Sequence, residues 1–136
     1  MRKKFMILAS LLTLLLASCG GGGPSTTLDV TVTDFAFVPN TFTVPAGQEI
    51  TLNIINNGAV VHNFVIMKLG TTAGDTFNEE DEANVFWQER DIPSDGELSV
   101  KFTAPTEPGE YQIICRTPGH IASGMIGKLT VVAEEQ

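Results

Sequence analysis

Cys115-Arg116-Thr117-Pro118-Gly119-His120-Ile121-Ala122-Ser123-Gly124-Met125 sets a thiol, an imidazole and a thioether at positions 1, 6 and 11 of one short stretch. Pro118, Gly119 and Gly124 favour tight turns, so the stretch reads as a loop. Before it, Tyr111, Ile113 and Cys115 share a face of an alternating segment, which puts the thiol on the inner side at a strand end. After it, Ile126 to Val132 turns Leu129 and Val131 inward against Lys128 and Thr130. Taken singly, a Cys is more often a small buried hydrophobe, a Met core filling and a His a hydrogen-bonded core residue. The combination Cys-x4-His-x4-Met is an improbable accident in a chain holding two Cys, two His and four Met.

Soft sulfur donors with imidazole select copper, and a Cys with two His in a trigonal plane plus a long axial Met is the donor set of blue electron-transfer sites. That set needs a second imidazole. The chain's other His, His62, lies in Val60-Val61-His62-Asn63-Phe64-Val65-Ile66, an apolar run rich in β-branched residues that reads as a buried strand. His62, Cys115, His120 and Met125 are therefore the candidate ligands of one copper ion passing between Cu(II) and Cu(I).

Outward from the two ligand segments the pattern stays that of sheet. Leu28, Val30 and Val32 alternate with Asp29, Thr31 and Thr33; Ile50, Leu52 and Ile54 alternate with Thr51, Asn53 and Ile55; Leu98, Val100 and Phe102 alternate with Ser99, Lys101 and Thr103. Phe42 and Val44 belong to a further strand closed by Pro45-Ala46-Gly47. Pro39-Asn40, Asn56-Asn57-Gly58, Pro93-Ser94-Asp95-Gly96 and Glu107-Pro108-Gly109 supply turns between them. Seven or eight short strands so punctuated predict an all-β, Greek-key sandwich or barrel. Residues 70–92 break the alternation, crowding Asp75, Glu79, Glu80, Asp81, Glu82 and Glu89 around Phe77, Phe86 and Trp87. They read as a solvated insertion with one or two helical turns whose aromatics cap the sheet, or as a face for docking a partner.

Cys-x-x-Pro-Gly-His followed by a Met, with His-Asn on an upstream strand, resembles the cupredoxins over roughly residues 28 to 133. The Cys-to-His part is similar to that of azurin, and the step from His120 to Met125 is similar to that of the auracyanins. The resemblance implies that Asn63 ties the ligand strand to the Cys loop and that the Val61 carbonyl is a distant axial contact. Ser or Thr commonly follows the Cys in this family, and Arg116 stands there instead. The Asn63 link would then fall to Thr117 or the backbone, and the Arg116 charge is expected to raise the reduction potential by disfavouring Cu(II). The resemblance further implies an exposed His120 edge within an apolar patch of Gly119, Ile121 and Ala122, with Gly58 and Ala59 nearby, through which the electron reaches partners.

The N-terminus adds an address. Met1 to Lys4 is basic, and Phe5 to Leu16 is apolar but shorter than the roughly 20 residues of a membrane-spanning helix, as in a signal peptide. Leu16-Ala17-Ser18-Cys19 resembles a bacterial lipobox, so residues 1–18 are expected to be removed and Cys19 lipidated. Residues 19–27 read as the lipidated Cys19 and a Gly-rich linker, Gly20 to Thr27, of about 15–17 Å reach, and residues 28–136 as the domain. Export to the periplasmic or outer-facing side of a bacterial membrane follows, with one Cys at the anchor and the other in the metal loop, leaving no pair for a disulfide.

The whole chain carries sixteen acidic and eight basic residues, a formal charge of −8. Processing removes Arg2, Lys3 and Lys4 and no acid, which takes the charge near −11. Such a surface argues against nucleic acid and against electrostatic docking on anionic lipid. The expected partners are redox proteins such as cytochromes or membrane oxidoreductase complexes, with the membrane reached through the lipid and the domain monomeric. Two His are too few for a multicopper enzyme, and a binuclear centre needs a second Cys in the loop. Copper storage or delivery is the alternative, and it favours several Met or His in an open site.

Overall fold

The computed structural model describes residues 23–134. The signal segment 1–18, Cys19 and Gly20–Gly22 lie outside the described residues. Nine strands and one helical turn follow in order: β1 (Thr27–Thr33), β2 (Ala36–Val38), β3 (Thr41–Pro45), β4 (Glu49–Asn56), β5 (His62–Met67), α1 (Glu79–Glu82), β6 (Val85–Ile92), β7 (Glu97–Thr103), β8 (Gly109–Ile114) and β9 (Ile126–Val132). They form two sheets, β2-β1-β4-β7 and β3-β9-β8-β5-β6. β1 pairs parallel with β4 and β3 parallel with β9, and the other neighbours are antiparallel.

Alternation places the core. Val30, Val32, Ile50, Leu52 and Ile54 from the first sheet meet Phe64, Ile66, Ile113, Leu129 and Val131 from the second in one buried cluster. Each such side chain contributes about 1.5–3 kcal/mol through removal from water. Aromatic pairs fasten the two layers: Phe37 meets Phe64 edge-on at 5.3 Å, and Trp87 stacks on Phe102 at 4.7 Å. At the chain's entry the domain starts earlier than the pattern predicts. Thr27 is already in β1, Ser25 donates its N–H to the Thr43 carbonyl at 2.9 Å, and the Thr26 carbonyl accepts from Thr51 at 2.8 Å.

All six residues of β5 are buried. Phe64 and Ile66 face the main core, while Val65 and Met67 face a second cluster with Ala73, Ile114 and Ile121, against which Phe77 and Val85 pack. A strand covered on both sides has no polar face, hence the unbroken apolar run from Phe64 to Met67. The cover is the 70–92 excursion. It holds the single helical turn α1, where the Asp81 carboxylate accepts from the Asn78 N–H at 2.8 Å, and then β6, a full strand along β5. Charges at Glu89, Arg90 and Asp91 hid this strand from the alternation test. β6 is the edge of its sheet, where charge is tolerated because it discourages pairing with another chain.

Candidate metal centre

One end of the sandwich collects the ligands because the strands there start or stop together. β5 begins at His62, β8 ends one residue before Cys115, and β9 begins one residue after Met125. The β1–β2 turn and the β4–β5 loop close the same end. His62, Cys115 and Met125 are fully buried, and His120 is 6% exposed. The donor atoms of His62, Cys115 and His120 all lie within 4.8 Å of one another. Cys115 Sγ is 3.7 Å from His62 Nδ1 and 3.3 Å from His120 Nδ1. With metal–nitrogen and metal–thiolate bonds of about 2.0 and 2.3 Å, one ion would span either of those sulfur–nitrogen separations. The donor set thus fits a metal that prefers one thiolate and two imidazoles. Met125 is buried in the same core cluster as Cys115. Its N–H donates to the His120 carbonyl at 3.0 Å and its carbonyl accepts from Cys115 N–H at 3.4 Å, pinching the loop shut.

Each ligand is held by neighbours. Cys115 Sγ accepts the Asn63 N–H at 3.3 Å. The Asn63 amide donates to the His62 carbonyl at 3.1 Å, and its Oδ1 accepts from the Thr117 hydroxyl at 3.2 Å, with the Val61 carbonyl a longer alternative at 3.4 Å. Thr117 therefore joins the Cys loop to the His strand where Arg116 has no hydroxyl to offer. Burial, and secondarily the nearby His62, push His120 below its ordinary value, which keeps its imidazole neutral and a lone pair free for a metal. Asn56, read from sequence only as part of a turn, is fully buried. Its amide nitrogen reaches the carbonyls of Val60, Ile92 and Pro93 at 2.9–3.0 Å, while its Oδ1 accepts the Gly58 N–H at 2.8 Å. This one side chain organises the loop that leads into His62.

Three expectations need correction. Arg116 turns away from the cluster: its guanidinium pairs with Glu82 of α1 at 2.8 Å, donates to Gln88 of β6 at 2.7 Å and lies 4.2 Å over the Phe77 ring. A charge so neutralised has little left with which to raise the potential, and its role is to fasten the excursion to the loop. Ile121 is not on an exposed rim. It is buried in the second cluster, beneath the loop it anchors. His120 is covered by Phe35, whose ring stands edge-on at 5.0 Å and is itself 44% exposed. The exposed apolar surface at this end is made by Phe35, Val60 and Val61, beside Pro118, Gly119 and Ala122.

Sequence reasoning also missed Asp34, whose Oδ1 lies 2.9 Å from His62 Nε2 and whose Oδ2 accepts the Ala59 N–H at 2.9 Å. Those two hydrogen bonds, Ala59's first, hold its carboxyl below the usual value. Nothing in the local sequence around Asp34 separates it from an ordinary turn residue.

Known proteins share this arrangement. Residues 6–131 match the family model described as a cupredoxin-like domain. Auracyanin-A of Chloroflexus aurantiacus is 33% identical across 94% of this chain and 96% of its own length, and a plastocyanin of Mercurialis perennis is 34% identical across 72% of this chain and 89% of its own. Among solved structures, the dithionite-reduced auracyanin of Roseiflexus castenholzii superposes with a TM-score of 0.68 at 32% identity, covering 81% of this chain and 99% of that one. With the family model spanning most of its length and a buried His62–Cys115–His120 cluster at the end of a two-sheet sandwich, the chain belongs to the cupredoxin-like family.

Proposed function

We propose that this chain is a mononuclear blue copper protein that carries one electron between redox partners while tethered to a membrane. The observation that carries the reading is the buried cluster of one Cys Sγ and two His Nδ1 atoms. Copper bound there supplies exchange between Cu(II) and Cu(I). His62, Cys115 and His120 would hold it, with the Met125 thioether as a further, weaker donor. One-electron transfer is fast when the donors hardly move between the two oxidation states. This chain restrains them through the Asn63–Thr117 bridge, the Asn63 N–H on Cys115 Sγ and the Met125 pinch of the loop. The electron leaves by His120 and its cover Phe35, within the apolar surface of Val60, Val61 and Ala122, which excludes water on docking yet stays small enough to release the partner.

The lipobox-like Leu16-Ala17-Ser18-Cys19 supports attachment through a lipid on Cys19, on the periplasmic or outer-facing side. No helix among the described residues is long and apolar enough to cross a membrane. Copper storage or delivery would call for an accessible site with several thioethers, and here the donors are buried. A visible spectrum of the mature domain with added Cu(II) tests the assignment. Intense thiolate-to-copper absorption at one ion per chain is expected, and its persistence in Cys115→Ser would overturn the ligand set.

A further inference from the structure

His62 and His120 both turn Nδ1 toward Cys115 Sγ, but their far sides meet different surroundings. His120 has the Phe35 ring over it, whereas His62 Nε2 meets the Asp34 carboxylate at 2.9 Å. These are consecutive residues of the β1–β2 turn, so one turn addresses both histidines. A ring nitrogen bonded to a carboxylate keeps its proton, which leaves the lone pair on Nδ1, where the donor cluster needs it. Asp34 is itself fixed, because its second oxygen accepts the Ala59 N–H. Gly58 clears the path. A Cβ there would collide with Asp34 Oδ1 and stand 2.8 Å from His62 Nε2.

Building on the copper reading, we propose that Asp34 is a positioning residue of the centre. Its carboxylate holds His62 with Nδ1 toward the metal, its charge favours the oxidised ion, and Gly58 gives it access. An imidazole donating to an anion is the more basic ligand, and a nearby negative charge is felt more by Cu(II) than by Cu(I). Asp34 thereby lowers the reduction potential, the direction opposite to the one first expected from Arg116.

The test compares Asp34→Asn, Asp34→Ala and Gly58→Ala with the wild type. Asp34→Asn keeps the size and one acceptor oxygen but loses the charge. Its blue absorption should stay as in the wild type. Cu(II) affinity should fall about tenfold relative to Cu(I), raising the potential by about 59 mV for one electron. Asp34→Ala should weaken Cu(II) binding about 10- to 100-fold. Gly58→Ala should act in the same direction, because its Cβ would crowd both Asp34 Oδ1 and His62 Nε2. Nitrogen NMR of the metal-free protein reads the contact without copper: His62 should be the Nε2-protonated tautomer in the wild type and a mixture in Asp34→Ala. An unchanged or lower potential in Asp34→Asn or an unaltered His62 tautomer in Asp34→Ala would each overturn the proposal. A wild type that binds copper without strong thiolate absorption would instead overturn the copper reading.

Discussion

Asn56 shows at the scale of one residue how the site is paid for in polar contacts rather than apolar ones. Its side chain satisfies the Val60, Ile92 and Pro93 carbonyls and the Gly58 N–H at one end of the sandwich. Removing it leaves the buried Ile92 carbonyl and Gly58 N–H without partners, each worth about 1–3 kcal/mol. Asn56→Ala should therefore destabilise the metal-free protein by on the order of 3 kcal/mol in urea denaturation, and loosen His62 enough to broaden the copper absorption. A loss below about 0.5 kcal/mol would show that water replaces the amide. The four donor candidates were legible because Cys, His and Met are rare in this chain and fall at fixed spacing. Asn56, Gly58 and Asp34 were not, because they look like common turn residues until the fold brings positions 25 to 37 residues apart into contact.

The 70–92 excursion makes the same point for elements. Sequence periodicity finds strands that are polar on one side, and β6 has charges where an alternation test wants apolar residues. Its partner β5 is apolar from Phe64 to Met67 because the excursion lies on its outer face. What joins this cover to the metal loop is the Arg116 clamp, with Glu82, Gln88 and Phe77 on the other side. Arg116, and next Gln88, hold the Glu82 carboxyl below the usual carboxylate range. A carboxyl lowered in the folded state contributes stability above its unfolded value and loses it as the pH falls through the folded one. Hydrogen exchange of the excursion in the metal-free protein should thus be slower in the wild type than in Glu82→Gln at pH 7, with the difference closing in acid below the usual Glu range. Exchange that is equal at pH 7 would mean the Phe77 and Val85 packing alone holds the element, and the Arg116–Glu82 pair is only a surface contact.

Over the whole molecule two fields act on a partner at different ranges. The chain's formal charge of −8 should draw a basic face from a distance, while the apolar surface around Phe35 should govern the close complex. Salt separates them, since the Debye length is about 8 Å at physiological ionic strength and leaves an apolar contact untouched. Stopped-flow oxidation by a basic cytochrome should slow as salt rises in the wild type, and neutralising Glu79, Glu80 and Asp81 should lower the rate mainly at low salt. Glu82 is left out of that set because its pairing with Arg116 would mix steering with the hold on the metal loop. Phe35→Asp should slow transfer at every salt concentration with the blue absorption kept, because the exposed ring is a cover and not a ligand. Ile121→Asp should behave differently, lowering the stability of the metal-free protein, since that side chain is 5% exposed and a carboxylate there is buried without a partner. If Phe35→Asp transferred electrons as fast as the wild type while rates ignored salt, neither the steering nor the exit beside His120 would stand, and the electron would have to leave through another face of the sandwich.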